Sequence, residues 1–336
     1  MTNFSRVYIL SPSYATGGTE LNHQLVHELN KQEKDAYICY IPFGENHQCP
    51  EKFKVYSEVR VMATPDDRKS SLIIIPESLT HFTSYFKNAG IAIWWQSIDN
   101  YFAADLSKPY ISMLQKWRSL LTRKRVRLAR LKKYSHFSQS YYAQRFLNMH
   151  GIPAKMLSDY INLEATKVCK AMIREAHYER KDLVLYNPMK GYHITKNLIQ
   201  GSKEYIFIPL VGLSQEELCR LFNEAKIYID FGNHPGKDRL PREAAINHCV
   251  VITGLHGSSG FSEDLPILNR YKLNTSSKHF ITDFRVLVND IFTNYEAHLS
   301  SQNDYRNSID SEYTKFRAEV SDLPIATNRY SHDRFA

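Results

Sequence analysis

The stretch KIYIDFGNHPGKDRLPREAAINHCVVIT, residues 226–253, decides the fold of this chain. Residues 226–231 form a short apolar run rich in β-forming side chains, and residues 232–240 hold two glycines and a proline. Pro241 suits the first position of a helix, where its missing N–H costs nothing. Residues 249–253 again have the composition of a buried strand. The stretch therefore predicts a strand, a loop, a helix and a second strand of a parallel sheet.

The loop and first turn around this helix start concentrate charged side chains, namely His234, Lys237, Asp238, Arg239 and Arg242. In an open parallel sheet, phosphorylated ligands bind at helix N-termini beyond the carboxyl ends of the strands. The pattern therefore predicts an anion-binding loop. A solvated loop whose charges bind nothing is the alternative interpretation.

The same alternation of strand and helix continues on both sides of this stretch. In the first half, strands are predicted at 6–11, 36–43, 71–76 and 91–96, with helices at 20–32 and 79–88. A second series begins at Asp182, and the polar residues 162–179 have the composition of a linker. We predict an α/β protein with domains at 1–165 and 180–300, followed by a helical segment at 301–336 that packs back on the first domain.

The 336-residue chain has a net charge of +8 and a pI near 9.0, which favours an anionic partner. Nucleic acid is disfavoured because no helix-turn-helix, zinc or RNA-binding signature accompanies the charge. Five cysteines without C-x-x-C spacing predict a reducing compartment, no disulfide framework and no zinc site. Neither a signal-peptide core nor an 18-residue apolar window occurs, so we predict a cytoplasmic protein, or one bound to a membrane only at its surface.

A basic segment extends from Arg123 to Lys133, where seven of eleven residues are Lys or Arg. It suits contact with an anionic membrane or a phosphate-bearing lipid acceptor, because each basic residue near an anionic leaflet contributes about 1 kcal/mol. A solvated basic face on a packed helix is an equally favoured interpretation.

Four further segments carry glycines or a helix start next to a strand. They are ATGGTE at 15–20, YNPMKG at 186–191, REAAINHCVVIT at 242–253 and LHGSSGF at 255–261. Together they resemble the nucleotide-sugar glycosyltransferases of the GT-B fold, most closely bacterial enzymes that build surface polysaccharides. Glu243 matches the second of two glutamates that many retaining members carry, whereas Pro235 stands at the first. The resemblance implies two Rossmann-like β/α/β domains that face a cleft, with the donor nucleotide held mainly by the C-terminal one.

The predicted donor-binding residues follow from the chemistry of a diphosphate leaving group. Neither half has a D-x-D metal motif, so Lys, Arg and backbone N–H groups must meet the developing charge, and we predict metal-independent transfer without a cofactor. Glu243 suits the ribose hydroxyls, although a carboxylate stabilised by the helix dipole is the alternative. The full predicted set is Gly17, Gly18, Asn187, Lys190, Gly191, His234, Lys237, Arg239, Arg242 and Glu243.

Two carboxylates are the predicted catalytic residues. Asp99 follows an apolar strand and suits a general base for an inverting transfer, although an Asx turn or a helix cap fits the same position. Glu20 follows the glycine pair and is the second, although it also suits capping of its own helix. His23, His27 and His136 suit proton transfer by residue type, and each also suits a structural role.

These features together predict a glycosyltransferase that moves a sugar from a nucleotide diphosphate sugar to a hydroxyl of a glycan or glycolipid acceptor. A role in surface-polysaccharide synthesis follows from the resemblance alone. Two alternatives stay open: a sugar-nucleotide epimerase of the same fold, and a non-catalytic protein that binds nucleotide sugars or polyanions. An NAD-dependent dehydrogenase is disfavoured because no G-x-G-x-x-G follows the first strand. The sequence leaves the oligomeric state open.

Overall fold

The computed structural model describes residues 4–102, 126–162 and 179–327 of the chain. Within these ranges the protein is α/β and separates into two compact units, each built on one parallel sheet. The predicted fold class of two Rossmann-like units is therefore confirmed. Most of the predicted linker at 162–179, and residues 123–125 of the basic segment, lie outside the described residues.

The first unit comprises the described residues 4–102, 126–159 and 314–327. Its sheet has the strand order β2-β1-β3-β4-β5-β6, and every pair is parallel. The strands are β1 Arg6–Pro12, β2 Ala36–Ile41, β3 Ser71–Pro76, β4 Gly90–Trp95, β5 Ser135–Ser138 and β6 Lys155–Met156. The central strands β1, β3 and β4 are almost entirely buried, as expected for apolar runs in a parallel sheet covered on both faces.

The described helices of the first unit are α1 Gly17–Lys31, α2 Ile98–Phe102, α3 Leu128–Leu131 and α4 Tyr141–Met149, with 3₁₀ turns at Glu51–Phe53 and Glu77–Ser84. α1 begins three residues before the predicted helix because Thr16 and Thr19 cap one another in a reciprocal capping box. Gly17 and Gly18 consequently lie in the first helical turn, where the sequence predicts a loop. Asp99 likewise lies in a short helix, α2, and not in a polar loop.

The second unit comprises the described residues 160–162 and 179–313. Its parallel sheet has the order β10-β9-β7-β8, with strands β7 Lys181–Tyr186, β8 Ile206–Pro209, β9 Ala225–Asp230 and β10 Val250–Thr253. Because β8 and β9 lie on opposite sides of β7, the strand order reverses between β7 and β9. The loops that follow these two strands leave the sheet on either side of this switch point, where ligands of open α/β sheets bind.

The helices in the described part of the second unit are α5 Tyr192–Gly201, α6 Gln215–Glu224, α7 Arg239–Ile246, α8 Phe280–Thr293, α9 Tyr295–Ser300 and α10 Asn303–Asp310. The predicted capping box of Ser214 and Glu217 begins α6 and is confirmed. α7 begins at Arg239, behind Asp238, so Pro241 is the third helical residue where the sequence predicts the first. Its missing N–H still falls in the first turn, where that group has no helical partner.

The last helix, α11 Glu312–Ser321, leads residues 314–327 into the first unit. There Phe4 pairs with Ile325 in a parallel bridge, and the buried Lys34 ammonium donates hydrogen bonds to the carbonyls of Val320 (2.7 Å) and Ser321 (3.0 Å). The division into units thus assigns 301–313 to the second unit and 314–327 to the first, where the sequence treats 301–336 as one segment.

One prediction about the cysteines is wrong. Cys219, in α6, is disulfide-bonded, whereas Cys39, Cys49 and Cys249 are free thiols. Spacing along the chain does not show which thiols fold close together, so an odd count without C-x-x-C motifs could not exclude this bond. The cysteine argument for a reducing compartment therefore no longer holds.

Candidate functional site

Two loops of the second unit touch at the switch point of its sheet. Gly191, in the loop after β7, has φ +59°, and a Cβ added there would lie 2.7 Å from the Cα of Gly232 in the loop after β9. A Cβ added at Gly232 would lie 2.6 Å from the Cβ of Lys190. Only glycine fits both positions, because the first requires left-handed backbone and both lack room for a side chain. This close packing brings the predicted loop residues of β7 and β9 together.

Four ionisable side chains form a row across this contact. The Lys190 ammonium lies 2.7 Å from Asp238 Oδ1, and Asp238 Oδ2 lies 3.0 Å from His234 Nδ1. On the far side of the imidazole, His234 Nε2 lies 3.6 Å from Asp230 Oδ1. The row alternates in sign when His234 is protonated. It runs from the deeply buried Asp230 to Lys190, whose side chain is 35% exposed.

Charged neighbours set the protonation of this row. Burial by itself lowers the pKa of His234, but the two carboxylates outweigh burial and leave its pKa raised above the ordinary value. Burial raises the pKa of Asp230, although the charge of His234 opposes this. Burial also favours the neutral form of Asp238, but His234 and Lys190 bring the pKa of Asp238 down to about 2. The two carboxylates therefore favour the protonated form of His234, and with His234 protonated the row is a chain of ion pairs.

Asp230, His234 and Asp238 are also a set of side chains that metal ions bind, with ligand atoms within 4.8 Å of one another. Their arrangement fits an imidazolium better, because the two carboxylates face opposite nitrogens of one ring. Each ring nitrogen thus has a carboxylate oxygen beside it, as expected for a ring protonated at both nitrogens. The expectation of metal-independent chemistry stays a prediction.

The predicted cations Lys237 and Arg242 lie on the inner side of the same loop. Arg242 is only 4% exposed and donates to the carbonyl oxygens of Asp238 (3.1 Å) and Lys237 (2.8 Å) and to Glu312 Oε2 (2.9 Å). The Lys237 ammonium lies 2.9 Å from Glu312 Oε1. Both cations therefore shape the loop from within, through a carboxylate that lies seventy residues from Arg242 along the chain.

Arg239 and Glu243 pair with each other on α7, one helical turn apart. Arg239 Nε donates to Glu243 Oε1 at 2.6 Å, and the arginine side chain stays partly exposed.

In the loop after β7, the Asn187 side-chain oxygen accepts the Met189 N–H at 2.9 Å and so closes the turn that presents Lys190. Among the predicted cations of this edge, Lys190 and Arg239 thus have the most exposed side chains.

The predicted residues of the first unit lie at the carboxyl edge of their own sheet. An added Cβ at Gly18 would come 3.1 Å from Gln96 Oε1 beyond β4, whereas one at Gly17 would meet nothing within 4 Å. Glu20 is buried, and its Oε1 accepts the Tyr56 hydroxyl at 2.9 Å. Glu20 therefore lies within a protein hydrogen-bond network, which favours a structural role over proton transfer.

Asp99 is half-buried in α2, where its Oδ1 accepts the Tyr142 hydroxyl at 3.2 Å. A catalytic role for Asp99 stays a prediction. His23 and His136 are both buried, and His234 is the histidine that lies between carboxylates.

Sequence reasoning missed three residues of this site. Asp230 is a carboxylate that ends an otherwise apolar strand at the switch point, and that position is a signal the sequence contains. Asp238 lies in the quoted loop but is absent from the predicted donor-binding set. Glu312 has no such signal, because only the tertiary fold brings it to Lys237 and Arg242.

Solved structures share the fold of this chain, which is the GT-B fold of two units built on parallel sheets. Sucrose-phosphate synthase from Thermosynechococcus elongatus matches with a TM-score of 0.66 and 12% identity over 95% of this chain and 98% of its own. Anabaena HepE, solved in complex with UDP-glucose, matches with a TM-score of 0.58 and 11% identity over 94% of this chain and 98% of its own.

A glycosyltransferase from Rickettsia africae matches with a TM-score of 0.57 and 11% identity over 96% of this chain and 100% of its own. At this level of identity the likeness establishes the fold. No protein-family model and no curated protein sequence matches the chain. None of the helices in the described ranges combines the length and hydropathy needed to cross a bilayer.

Proposed function

We propose that the protein is a nucleotide-sugar glycosyltransferase whose donor diphosphate binds at the loops after β7 and β9. The single observation that carries the proposal is the contact of these loops at the switch point, where Lys190 and Asp238 meet at 2.7 Å. Lys190 has the charge and the partial exposure to bind phosphate oxygens. The fold supports the same proposal, since HepE shares it and was solved with UDP-glucose.

The predicted donor residues divide into two groups under this proposal. Lys190 and Arg239 contact the diphosphate and Glu243 lies near the ribose, while Gly191 lets the loop after β7 approach Gly232 in the loop after β9. Lys237 and Arg242 keep the loop in shape through Glu312, with Asn187 doing the same on the β7 side. Gly17 and Gly18 lie in the first turn of α1 in the first unit, where helix N–H groups favour anions, and a donor-binding role for them stays a prediction.

The acceptor in this proposal is a hydroxyl of a glycan or glycolipid, with Asp99 as the base. Contact with an anionic membrane is part of the proposal, because the described basic residues of the segment, Arg127, Arg130, Lys132 and Lys133, are all exposed. Sedimentation with vesicles of anionic and of neutral phospholipid, at low and at high salt, measures this contact.

A binding screen tests the donor. We expect one of UDP-glucose, ADP-glucose and GDP-mannose to raise the thermal unfolding midpoint of the wild-type protein. Lys190→Ala should weaken that binding about tenfold or more, because a charge-assisted phosphate contact is lost. The matched control is Lys226→Ala, which removes a lysine paired with Asp182 at 2.6 Å at the opposite end of the same sheet and should leave affinity unchanged. Equal effects of the two variants would contradict the donor site.

Product analysis separates transfer from epimerisation. The protein is incubated with the binding nucleotide sugar alone, and the sugar and nucleotide products are resolved by chromatography. A transferase releases nucleoside diphosphate only with an acceptor or, slowly, by hydrolysis, whereas an epimerase changes the sugar of the donor in the absence of any acceptor. A new sugar configuration without acceptor would contradict the proposed function.

A further inference from the structure

The row of ionisable side chains at the switch point has one movable end. We call Asp230, His234 and Asp238 the buried trio; the side chains of its first two members are 1% and 3% exposed, and that of Asp238 is 16% exposed. Asp230 is further fixed by the Gly232 N–H (3.0 Å) and the Tyr228 hydroxyl (3.1 Å). Lys190 is the solvent-facing end, and its long flexible stem can redirect the ammonium without moving the loop.

We propose that the buried trio couples donor binding to proton uptake: the donor diphosphate takes the Lys190 ammonium from Asp238, and the trio then binds a proton from solvent. This inference rests on the proposed function and adds a proton to its binding step. Lys190 keeps its own proton throughout. The incoming proton bonds to a carboxylate oxygen of Asp230 or Asp238 and forms a neutral carboxylic acid.

The charge count gives the reason. With His234 protonated, Asp230, His234, Asp238 and Lys190 carry charges of −1, +1, −1 and +1, so the free site is neutral. When Lys190 turns to a diphosphate, the trio is left with a charge of −1 next to the additional negative charge of the ligand. An uncompensated buried charge costs several kcal/mol, and protonation of a carboxylate removes it. Burial already raises the pKa of Asp230, which makes it the first acceptor.

Other charged and titratable groups surround the trio on every side. They are Lys190 from the β7 loop, Tyr228 from β9, Lys237 and Arg242 from the β9 loop and α7, Asp264 from the segment after β10, and Tyr305 from α10. Lys237 and Arg242 are paired with Glu312. Since these pairs do not involve Lys190, the loss of the Lys190 ammonium changes the charge of the trio. Arg239, paired with Glu243 at 2.6 Å, is the other cation that the donor redirects, and Asp238→Asn separates its effect from that of the trio.

Calorimetry of nucleotide-sugar binding in buffers of different ionisation enthalpy counts the protons. UDP-glucose, ADP-glucose and GDP-mannose are suitable probes because their substituted diphosphates do not titrate near neutral pH. For the probe that binds, we expect uptake of about half to one proton at pH 7, and an affinity that falls up to about tenfold per pH unit as the pH rises. Binding by the wild type without proton exchange would refute the inference while leaving the proposed function intact.

Two variants test whether the trio takes up the proton. Asp238→Asn keeps the shape of the side chain but removes its charge, so proton uptake and the pH dependence of affinity should disappear. Asp182→Asn removes the partner of Lys226 in a matched Lys–Asp pair at the other end of the sheet and should preserve both. Persistence of the uptake in Asp238→Asn would overturn the inference.

A measurement on the wild-type protein covers the case in which Asp238→Asn does not fold. Infrared difference spectra recorded on addition of the nucleotide sugar should show a new C=O stretching band of a protonated carboxyl group. Binding without this band would also overturn the inference. If none of the three probes binds the wild type, it is the proposed function that fails, and the two failures are distinguished.

Discussion

The carboxyl edges of the two sheets each contain a buried histidine, and the two histidines have opposite character. In the first unit, His23 Nδ1 donates to the Thr19 carbonyl (2.6 Å), so its Nε2 accepts the Tyr40 hydroxyl (2.8 Å). Burial lowers the pKa of His23 to about 4, and the ring is neutral. In the second unit, carboxylates on both sides of His234 raise its pKa. Burial thus leaves the His23 ring neutral, whereas the carboxylates beside His234 favour its protonated form.

The same contrast holds for the other polar groups of the two edges. In the first unit Glu20 accepts a tyrosine hydroxyl, and Gln96 donates to Asn22 Oδ1 at 2.7 Å. In the second unit the corresponding groups are ion pairs, with Glu312 joined to Lys237 and Arg242. Charged pairs set within a fold are suited to binding a charged ligand, so the difference favours the second edge as the site of a diphosphate.

The largest expected difference between the edges concerns their glycines. Gly191→Ala should lower the free energy of unfolding by about 4 kcal/mol, because the new Cβ meets Gly232 at 2.7 Å on a left-handed backbone. Gly17→Ala in α1 has open space around it and should be neutral or stabilising by up to about 1 kcal/mol. Chemical denaturation followed by circular dichroism measures both. A mild Gly191→Ala would show that the two loops can separate.

Removing one partner of a polar contact should cost more at the second edge. Arg242→Met removes one of the two cations paired with Glu312 and frees two loop carbonyls, so we expect a loss of about 3 kcal/mol. Tyr56→Phe in the first unit removes the hydroxyl that donates to Glu20 and accepts from Gln24, and should cost about 2 kcal/mol. Thermal unfolding midpoints rank the two variants. The reverse order would contradict the distinction between the second edge, where charged groups are paired, and the first edge, where polar groups bond to uncharged partners.

Acid should act on the first edge through His23. Its pKa is near 4 in the folded state and about 6.5 when unfolded, so the unfolded chain binds more protons between these values. The contribution of His23 to the free energy of unfolding is therefore present above pH 6.5, and the free energy of unfolding should fall by about 2 kcal/mol by pH 5. His234 has the opposite sign, since its raised pKa gives stability that is present below pH 6.5 and lost as the pH rises through the folded value.

Tryptophan fluorescence isolates this effect. Trp94 and Trp95 are fully buried in β4 of the first unit, and residues 160–313 contain no tryptophan. His23→Gln should flatten the dependence of the fluorescence-detected unfolding free energy on pH between 5 and 6.5. An unchanged slope would assign the acid sensitivity to other groups.

Local patterns in the sequence were sufficient for the architecture. Apolar runs bounded by glycine and proline predicted the central strands, and the spacing of Ser214 and Glu217 predicted the start of α6. The starts of two helices, α1 and α7, differ from the predicted ones. The capping box of Thr16 begins α1 at Gly17, and α7 begins two residues ahead of Pro241 without a capping side-chain hydrogen bond from Asp238.

The site itself was predictable as a charged loop but not as an ordered row. The sequence placed Lys190 and His234 near one edge, since the loops of neighbouring parallel strands meet there. It could not show that Arg242 is directed inward, because its partner Glu312 lies on α11, outside the β/α series that defines the edge. Electrostatic arrangement depends on contacts of high sequence separation, which short-range patterns do not contain.

The bridge between Phe4 and Ile325, with the Lys34 ammonium bonded to Val320 and Ser321, has a consequence for synthesis on the ribosome. The first unit begins to emerge at once, yet its last structural piece is translated only after all of residues 160–313. Until then the lysine lacks these two carbonyl acceptors. A gene fragment that stops before residue 314 would encode a first unit without the Phe4–Ile325 bridge and without these two hydrogen bonds of Lys34.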